Sequence, residues 1–246
     1  MILMGIVNLT PDSFWEPSRA TTADAVRKRV DGLLERGCGI IDLGAVSTRP
    51  GAADVPVEEE WARLEPALGL YINGEIPHIS IDTTSSIIVR RAYNLIGPFT
   101  VNDISAGEDD PDMLPTVAEL GLPFIAMHKR GNPRSMDALT DYPEGVVQAV
   151  ASYFDGFAEK VSVLGIREWI LDPGFGFAKT AEQNWELLEN LPVFRKFGRP
   201  VLVGVADKRF TRTPNPFAPS GAEENCGSAY AERLAMERGA DILRIH

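Results

Sequence analysis

Ile2-Leu3-Met4-Gly5-Ile6-Val7-Asn8, then the amphipathic segment Ala23–Arg36, then Gly39-Ile40-Ile41-Asp42-Leu43-Gly44, form the stretch that decides the fold class. Two short, near-continuous apolar runs flanking a helix-like segment describe a βαβ unit, because strands covered on both faces need no polar alternation. The same phrase returns along the chain. Further strand-like runs are His78–Asp82, Phe99–Asp103, Leu122–His128, Glu168–Asp172, Pro200–Val205 and Asp241–His246. The helix-like segments between them are Val57–Tyr71, Ser85–Ile96, Met113–Leu120, Glu144–Leu164, Ala181–Phe197 and Ala222–Arg238. Eight strands at a mean repeat of roughly 30 residues suit an eight-fold barrel. A doubly wound open sheet is the alternative, but it usually carries a glycine fingerprint after its first strand. Asn8-Leu9-Thr10-Pro11 stands there instead. The expectation is an α/β (β/α)8 TIM barrel forming one domain over residues 1–246. No eighth helix follows the last strand-like run, so the barrel is expected to lack that covering helix unless another surface, such as a second subunit, replaces it.

Helix punctuation agrees with this phasing. Gly37, Gly121, Gly165 and Gly239 each follow a periodic stretch, where a left-handed terminal residue is wanted. Thr180 before Ala181-Glu182-Gln183 predicts a capping box. The stretch Thr211–Asn225, with three prolines and little periodicity, predicts a long mobile loop. The acidic run Glu58-Glu59-Glu60 reads as a solvated first helical turn, and Cys38 as a packing thiol.

With 24 Lys and Arg against 35 Asp and Glu, the chain of 246 residues carries a formal charge of −11. An acidic chain without a basic run is a poor partner for nucleic acid or an anionic membrane. No stretch approaches the roughly 20 apolar residues that a transmembrane helix requires. The opening apolar run lacks a basic flank and meets Asn8 too early for a signal peptide. Two cysteines, Cys38 and Cys226, give no disulfide framework and point to a reducing compartment. The expectation is a cytoplasmic protein.

In an eight-fold barrel the chemistry sits at the C-terminal strand ends. Those positions here are Asn8, Asp42, Asp82, Asn102 with Asp103, Met127 with His128, Asp172, Lys208 and Arg244 with His246. Any one of them has a structural explanation as a cap or tether, but so many at one rim point to a shared site. Asp82, Asn102, Asp172 and Lys208 suit a flat, N–H-rich heterocycle such as an aminopyrimidinone. Arg49, Arg244 and His246, beside Ser47-Thr48-Arg49-Pro50-Gly51, form a local anion site, most simply for phosphate. Asn8 offers a neutral oxygen that could hold Mg²⁺ if phosphate and water complete its shell. The run Gly174-Phe175-Gly176-Phe177-Ala178-Lys179-Thr180 lacks phosphate-loop spacing and reads as a strand-to-helix turn.

Seven short motifs in register resemble the dihydropteroate synthase family across nearly the whole chain. They are Met4 to Phe14; Asp42-Leu43-Gly44 with Ser47 to Ala52; Ile81-Asp82-Thr83; Val101-Asn102-Asp103; Ala126-Met127-His128; Leu171-Asp172-Pro173-Gly174; and Asp241 to His246. The resemblance implies a (β/α)8 barrel and a transferase of folate biosynthesis. Such an enzyme joins 6-hydroxymethyl-7,8-dihydropterin diphosphate to 4-aminobenzoate by an SN1-like displacement and is a sulfonamide target. Carried across, Asp82, Asn102, Asp172 and Lys208 would bind the pterin, with Met127 and Phe177 among the substrate contacts. Thr48, Arg49, Arg244 and His246 would hold the diphosphate, Asn8 the Mg²⁺, and Phe14 and Pro50 would close on the aminobenzoate. Asp82, Asp172, Lys208 and Arg49 would carry the catalytic roles. The resemblance also implies a homodimer.

After the seventh strand the family commonly reads Ser-Arg-Lys-Ser, where this chain has Ala206-Asp207-Lys208-Arg209. Either Arg209 pairs with the aminobenzoate carboxylate, or it blocks that pocket. Trp15-Glu16-Pro17-Ser18 likewise departs from the common Ser-Asp-Gly-Gly. The alternatives are a pterin-binding barrel with impaired or altered arylamine use, a non-catalytic pterin-binding or structural scaffold, and a corrinoid-type methyltransferase domain. The methyltransferase has no need of the Ser-Thr-Arg-Pro-Gly loop or the terminal Arg-x-His.

Overall fold

The computed structural model describes residues 1–10, 22–46, 55–131, 135–219 and 225–246. Strands and helices alternate: β1 (Ile2–Asn8), α1 (Thr22–Glu35), β2 (Cys38–Gly44), α2 (Val57–Ile72), β3 (Ile79–Asp82) and α3 (Ser86–Ile96). Then come β4 (Thr100–Asp103), α4 (Met113–Leu120), β5 (Phe124–Met127), α5 (Val146–Val163), β6 (Trp169–Asp172), α6 (Ala181–Glu189), β7 (Leu202–Val203), α7 (Ser228–Glu237) and β8 (Ile242–Ile245). All pairings are parallel, and the strand order is β6-β5-β4-β3-β2-β1-β8-β7. An isolated parallel bridge, Leu171 to Val201, joins the two ends of this order. The ring excludes the open doubly wound sheet, in which the first and last strands would not meet.

Side-chain alternation along the strands separates two apolar layers. Ile41, Leu43, Ile79, Ile81, Val101, Phe124, Trp169, Leu171, Val203 and Leu243 join the helices in one large core. Met4, Ile125, Leu202 and Ile242, with Ile40 and Ile170 against them, form a second and smaller cluster inside the barrel. Above that plug the same inward parity brings Asp42, Asp82, Asn102, Met127, Asp172 and Arg244 to the mouth. The floor is dry and the rim is polar. Helix α1 lies close on β1 because residue 5 is glycine: a Cβ there would sit 2.9 Å from Leu33 and 3.1 Å from the Cys38 Sγ. Cys38 is buried, as a packing thiol should be.

Gly37, Gly121, Gly165 and Gly239 all take positive φ. The capping box at Thr180 is complete, with Gln183 N donating to Thr180 Oγ1 and Thr180 N donating to Gln183 Oε1. Several expectations need correcting. The helix expected over Ala181–Phe197 breaks into α6 and a 3-10 helix, Leu191–Phe197. Pro192 has no N–H to continue the ladder. The last helix begins at Ser228, not Ala222, because Gly227 at φ 95° lies outside helical space. The described part of the stretch expected to be a mobile loop is tied down. It opens with a 3-10 turn, Arg209–Arg212, and Asn215 is buried. The Asn215 Nδ2 donates to Glu189 Oε1 (2.8 Å) and to the Tyr230 hydroxyl (3.1 Å). Glu60 is not solvated either: it is buried and accepts from Thr83 Oγ1 at 2.6 Å, and burial raises its pKa. No helix among the described residues is long and apolar enough to cross a membrane.

β7 spans only two residues, fewer than the run Pro200–Val205 promised. Pro200 cannot donate to a ladder, and a side chain does the work of a strand at its start. Val201 N donates to Asp241 Oδ2 (2.9 Å), while Val201 O accepts from Asp241 N (2.9 Å) and Ile242 N (3.1 Å). Asp241→Ala should therefore leave the buried Val201 N–H unpaired and cost about 1–3 kcal/mol in chemical denaturation. Hydrogen exchange should quicken at Val201 and Leu171 first; uniform loss of protection across the barrel would contradict this local role.

Candidate functional site

Register places the rim residues in two direct pairs. Asp82 of β3 lies opposite Asn102 of β4, and Met127 of β5 opposite Asp172 of β6. Gly44 lies opposite Asp82, where a Cβ would come within 3.5 Å of the Asp82 side chain. From β8, Arg244 crosses to the carboxylates of β2 and β3. Its Nε lies 2.8 Å from Asp42 Oδ2, and its Nη2 lies 2.6 Å from Asp42 Oδ2 and 2.9 Å from Asp82 Oδ2. Asp42 also accepts from Ser80 Oγ (2.5 Å) and Asn102 Nδ2 (3.2 and 3.3 Å).

Burial, then the neighbouring Asp42 charge, pushes the Asp82 carboxyl up to about 7, against the pull of Arg244. Burial also raises Asp172, whose Oδ1 accepts from Gly174 N at 2.8 Å, with Lys208 and Arg244 opposing the rise. Lys208 is pushed down to about 8 by burial and by Arg244. Burial disfavours the Arg244 charge, but Asp42 and Asp82 outweigh it and hold its pKa above the ordinary guanidinium value.

The β6–α6 loop supports this group from one side. Lys208 Nζ stands 4.7 Å above the Phe177 ring, and a Cβ on Gly176 would approach the Lys208 stem to 3.1 Å. Lys179 is buried and staples the loop, donating to Gly174 O (2.8 Å) and Phe177 O (3.0 Å). Its Nζ also lies 3.1 Å from His128 Nδ1. Burial and Lys179 drive His128 down to about 2, so the imidazole is neutral. Burial lowers Lys179 itself to about 7. The loop is thus the strand-to-helix turn expected, with its lysine turned onto its own carbonyls and not toward a phosphate.

The expected cluster is only partly gathered. Asp82, Asn102, Met127, Asp172, Lys208, Phe177 and Arg244 share the mouth, and Asn8 ends β1 half-buried. Arg244 is not a free anion ligand but is paired with two carboxylates. His246 is exposed, and its carbonyl accepts from the Arg36 guanidinium. Arg209 is exposed one residue beyond Lys208, and Asp207 takes φ 56°, a left-handed turn that Asp tolerates. Phe14, Thr48, Arg49 and Pro50 lie outside the described residues. Asp103 is a tether: it accepts from Ser105 N and Oγ (both 2.7 Å) and Gly107 N (2.8 Å). Sequence reasoning left Asp42 and Lys179 without a role. The signal for Asp42 was its place at a strand end.

The family model described as pterin binding enzyme matches residues 4–246. The dihydropteroate synthase of Haemophilus influenzae is 37% identical over 246 residues, covering 99% of this chain and 88% of that protein. The chain belongs to the dihydropteroate synthase family. Its members are transferases. The structure of the Xanthomonas albilineans dihydropteroate synthase with 4-aminobenzoic acid matches with a TM-score of 0.84 and 36% identity, covering 100% of this chain and 87% of that one. The same enzyme in complex with 7,8-dihydropteroate matches at 0.80 and 32%, with the same coverage. In this family's barrel, the described donor set suits a metal only in a limited way. Among the described residues no three His, Cys, Asp or Glu converge, and the neutral Asn8 oxygen fits a Mg²⁺ that arrives already held by diphosphate.

Gly174 is where this synthase-family site tolerates least. It sits at φ 74°, and a Cβ there would lie 1.9 Å from the His128 backbone oxygen. Gly174→Ala should destabilise the fold by about 2–4 kcal/mol. The near-ultraviolet signal of the mouth should be lost before the far-ultraviolet signal; unchanged unfolding midpoints would show the clash to be harmless.

Proposed function

We propose that this mouth condenses 6-hydroxymethyl-7,8-dihydropterin diphosphate with 4-aminobenzoate, releasing diphosphate and 7,8-dihydropteroate. The observation that carries the reading is the ring of oxygen acceptors Asp82, Asn102 and Asp172 beside Lys208, above an apolar plug. A pterin edge is rich in N–H donors, and charge-assisted bonds to it are worth roughly 1.5–3 kcal/mol each in a dry site. Met127 and Phe177 would pack against the ring, and Lys208 would donate to its carbonyl side. Thr48, Arg49 and His246 would receive the diphosphate, joined by Arg244 through the part of its guanidinium that Asp42 and Asp82 do not hold, and Phe14 and Pro50 would close over the arylamine. Asn8 would hold Mg²⁺, which, when bound, would neutralise charge growing on the leaving group.

Displacement begins at the exocyclic carbon: the C–O bond breaks and its electron pair leaves with diphosphate. The pterin carries the cationic methylene, and the Asp82 and Asp172 carboxylates favour that charge electrostatically. The arylamine nitrogen attacks the carbon and then loses a proton. Closure excludes water, which would otherwise capture the cation. No side-chain nucleophile is needed. The reading includes one domain spanning residues 1–246 and the homodimer that the family resemblance implies. A reducing cytoplasm is supported by the free thiols of Cys38 and Cys226.

Incubation with both substrates and Mg²⁺ should yield stoichiometric dihydropteroate and diphosphate. Pterin binding without diphosphate release would identify a scaffold instead. Arg209, exposed one residue beyond Lys208, would pair with the aminobenzoate carboxylate. Arg209→Ser should then raise the KM for 4-aminobenzoate by about tenfold, roughly the 1.4 kcal/mol of one charged contact. A fall in KM would mean that the side chain obstructs the pocket.

A further inference from the structure

We infer that Asp42, which lies beneath the mouth, is a positioning residue for the reaction, setting the orientation of the Asn102 amide and the Arg244 guanidinium. The inference rests on the synthase reading above and adds a residue that has no substrate contact of its own. Asp42 has no exposed surface, so its carboxylate meets neither solvent nor ligand. A buried carboxylate persists only where donors surround it. Here they come from three strands: Ser80 Oγ at 2.5 Å, Asn102 Nδ2 at 3.2 and 3.3 Å, and Arg244 Nε and Nη2 at 2.8 and 2.6 Å.

The consequence for Asn102 is directional. An amide can face a carboxylate only through its N–H₂ side, since its oxygen would be repelled. Contact with both Asp42 oxygens therefore pins the amide and turns Oδ1 away from Asp42. Asp82, Asn102 and Asp172 then all present oxygen, and the mouth selects a ligand edge made of donors. Without the Asp42 charge the amide is free to rotate by 180° and offer N–H where the ligand also offers N–H. The consequence for Arg244 is similar. Held to Asp42 by the Nε hydrogen bond and the Nη2 ion-pair contact, it donates to Asp82 with Nη2 at 2.9 Å and fixes that carboxylate as well. Asp42 thus selects the acceptor face without touching the ligand.

Asp42→Asn keeps the side-chain volume and removes the charge. Calorimetric titration with 6-hydroxymethyl-7,8-dihydropterin diphosphate should show about tenfold to hundredfold weaker binding. The KM for 4-aminobenzoate should stay within about twofold, because positioning acts on the pterin half alone. In an Asn102→Ala background the same substitution should cost clearly less than it does alone, since one of the two groups it orients has gone and only Arg244 remains to be released. The pH profile supplies a second readout. Asp82 is faced by Asp42 of β2, Asp103 of β4, Glu60 of α2, Arg244 of β8 and Lys208. Removing one negative neighbour makes Asp82 easier to ionise, so the acidic limb of kcat/KM should move to lower pH.

Should Asp42→Asn fail to fold, Ser80→Ala loosens the same carboxylate by one hydrogen bond and should weaken pterin binding by about twofold to fivefold. Unchanged pterin affinity in the folded variant, or fully additive losses in the Asn102 background, would overturn the inference. A wild-type protein that binds the pterin but makes no dihydropteroate overturns the synthase reading alone, and the titrations still report on Asp42.

Discussion

Arg244 lies between Asp42 and Asp82, and that buried ion network is the constraint on which the mouth depends. Three charges leave water together, and the cost of doing so is several kcal/mol per ion unless each is hydrogen-bonded. The network meets that condition only because β2, β3, β4 and β8 bring Ser80, Asn102 and Arg244 to one carboxylate. Breaking it by removing one partner costs far more than the pair contributes. The barrel's polar end is therefore specified as a unit. Asp82 ionises reluctantly because it is buried and because Asp42 stands beside it, and Arg244, shared between the two carboxylates, offsets this only in part.

The other side of the mouth is built by a different means. Lys179 is buried and donates to the Phe177 carbonyl and to the Gly174 carbonyl, which also accepts from Phe177 N. The loop it staples carries Phe177 under Lys208. A lysine whose own pKa is lowered by burial thus supports a second lysine in the same condition. In both halves, groups with no ligand contact hold the groups that would have one.

The barrel was legible because strand and helix periods differ and eight repeats reinforce one another. β1 spans Ile2–Asn8 as read, and α4 spans Met113–Leu120 as read. Misreadings arose where a local breaker competed with periodicity: Pro192 inside the sixth helix and Gly227 before the seventh. Residue type and strand-end position were enough to gather Asp82, Asn102, Met127, Asp172 and Lys208. They could not separate carboxylates that tether a loop from those that face a ligand. Asp103 binds Ser105 and Gly107, and Glu60 binds Thr83, yet in sequence each looks like any other acid. Nor could they show that Arg244 is paired, since its partners lie 202 and 162 residues away.

The wall between β6 and β7 is held by one bridge and one backbone bond from Leu171 to Pro200. Every other wall has a longer ladder. The chain that leaves this thin wall carries Lys208 and Arg209, so their placement is not inherited from strand geometry. That of Lys208 is borrowed from the neighbour across the seam, through Phe177 and the bare backbone of Gly176. Changes at those two positions would retune the cation's aim while leaving the oxygen acceptors Asp82, Asn102 and Asp172 in place, which makes the seam a natural place for relatives of this barrel to diverge in what they accept.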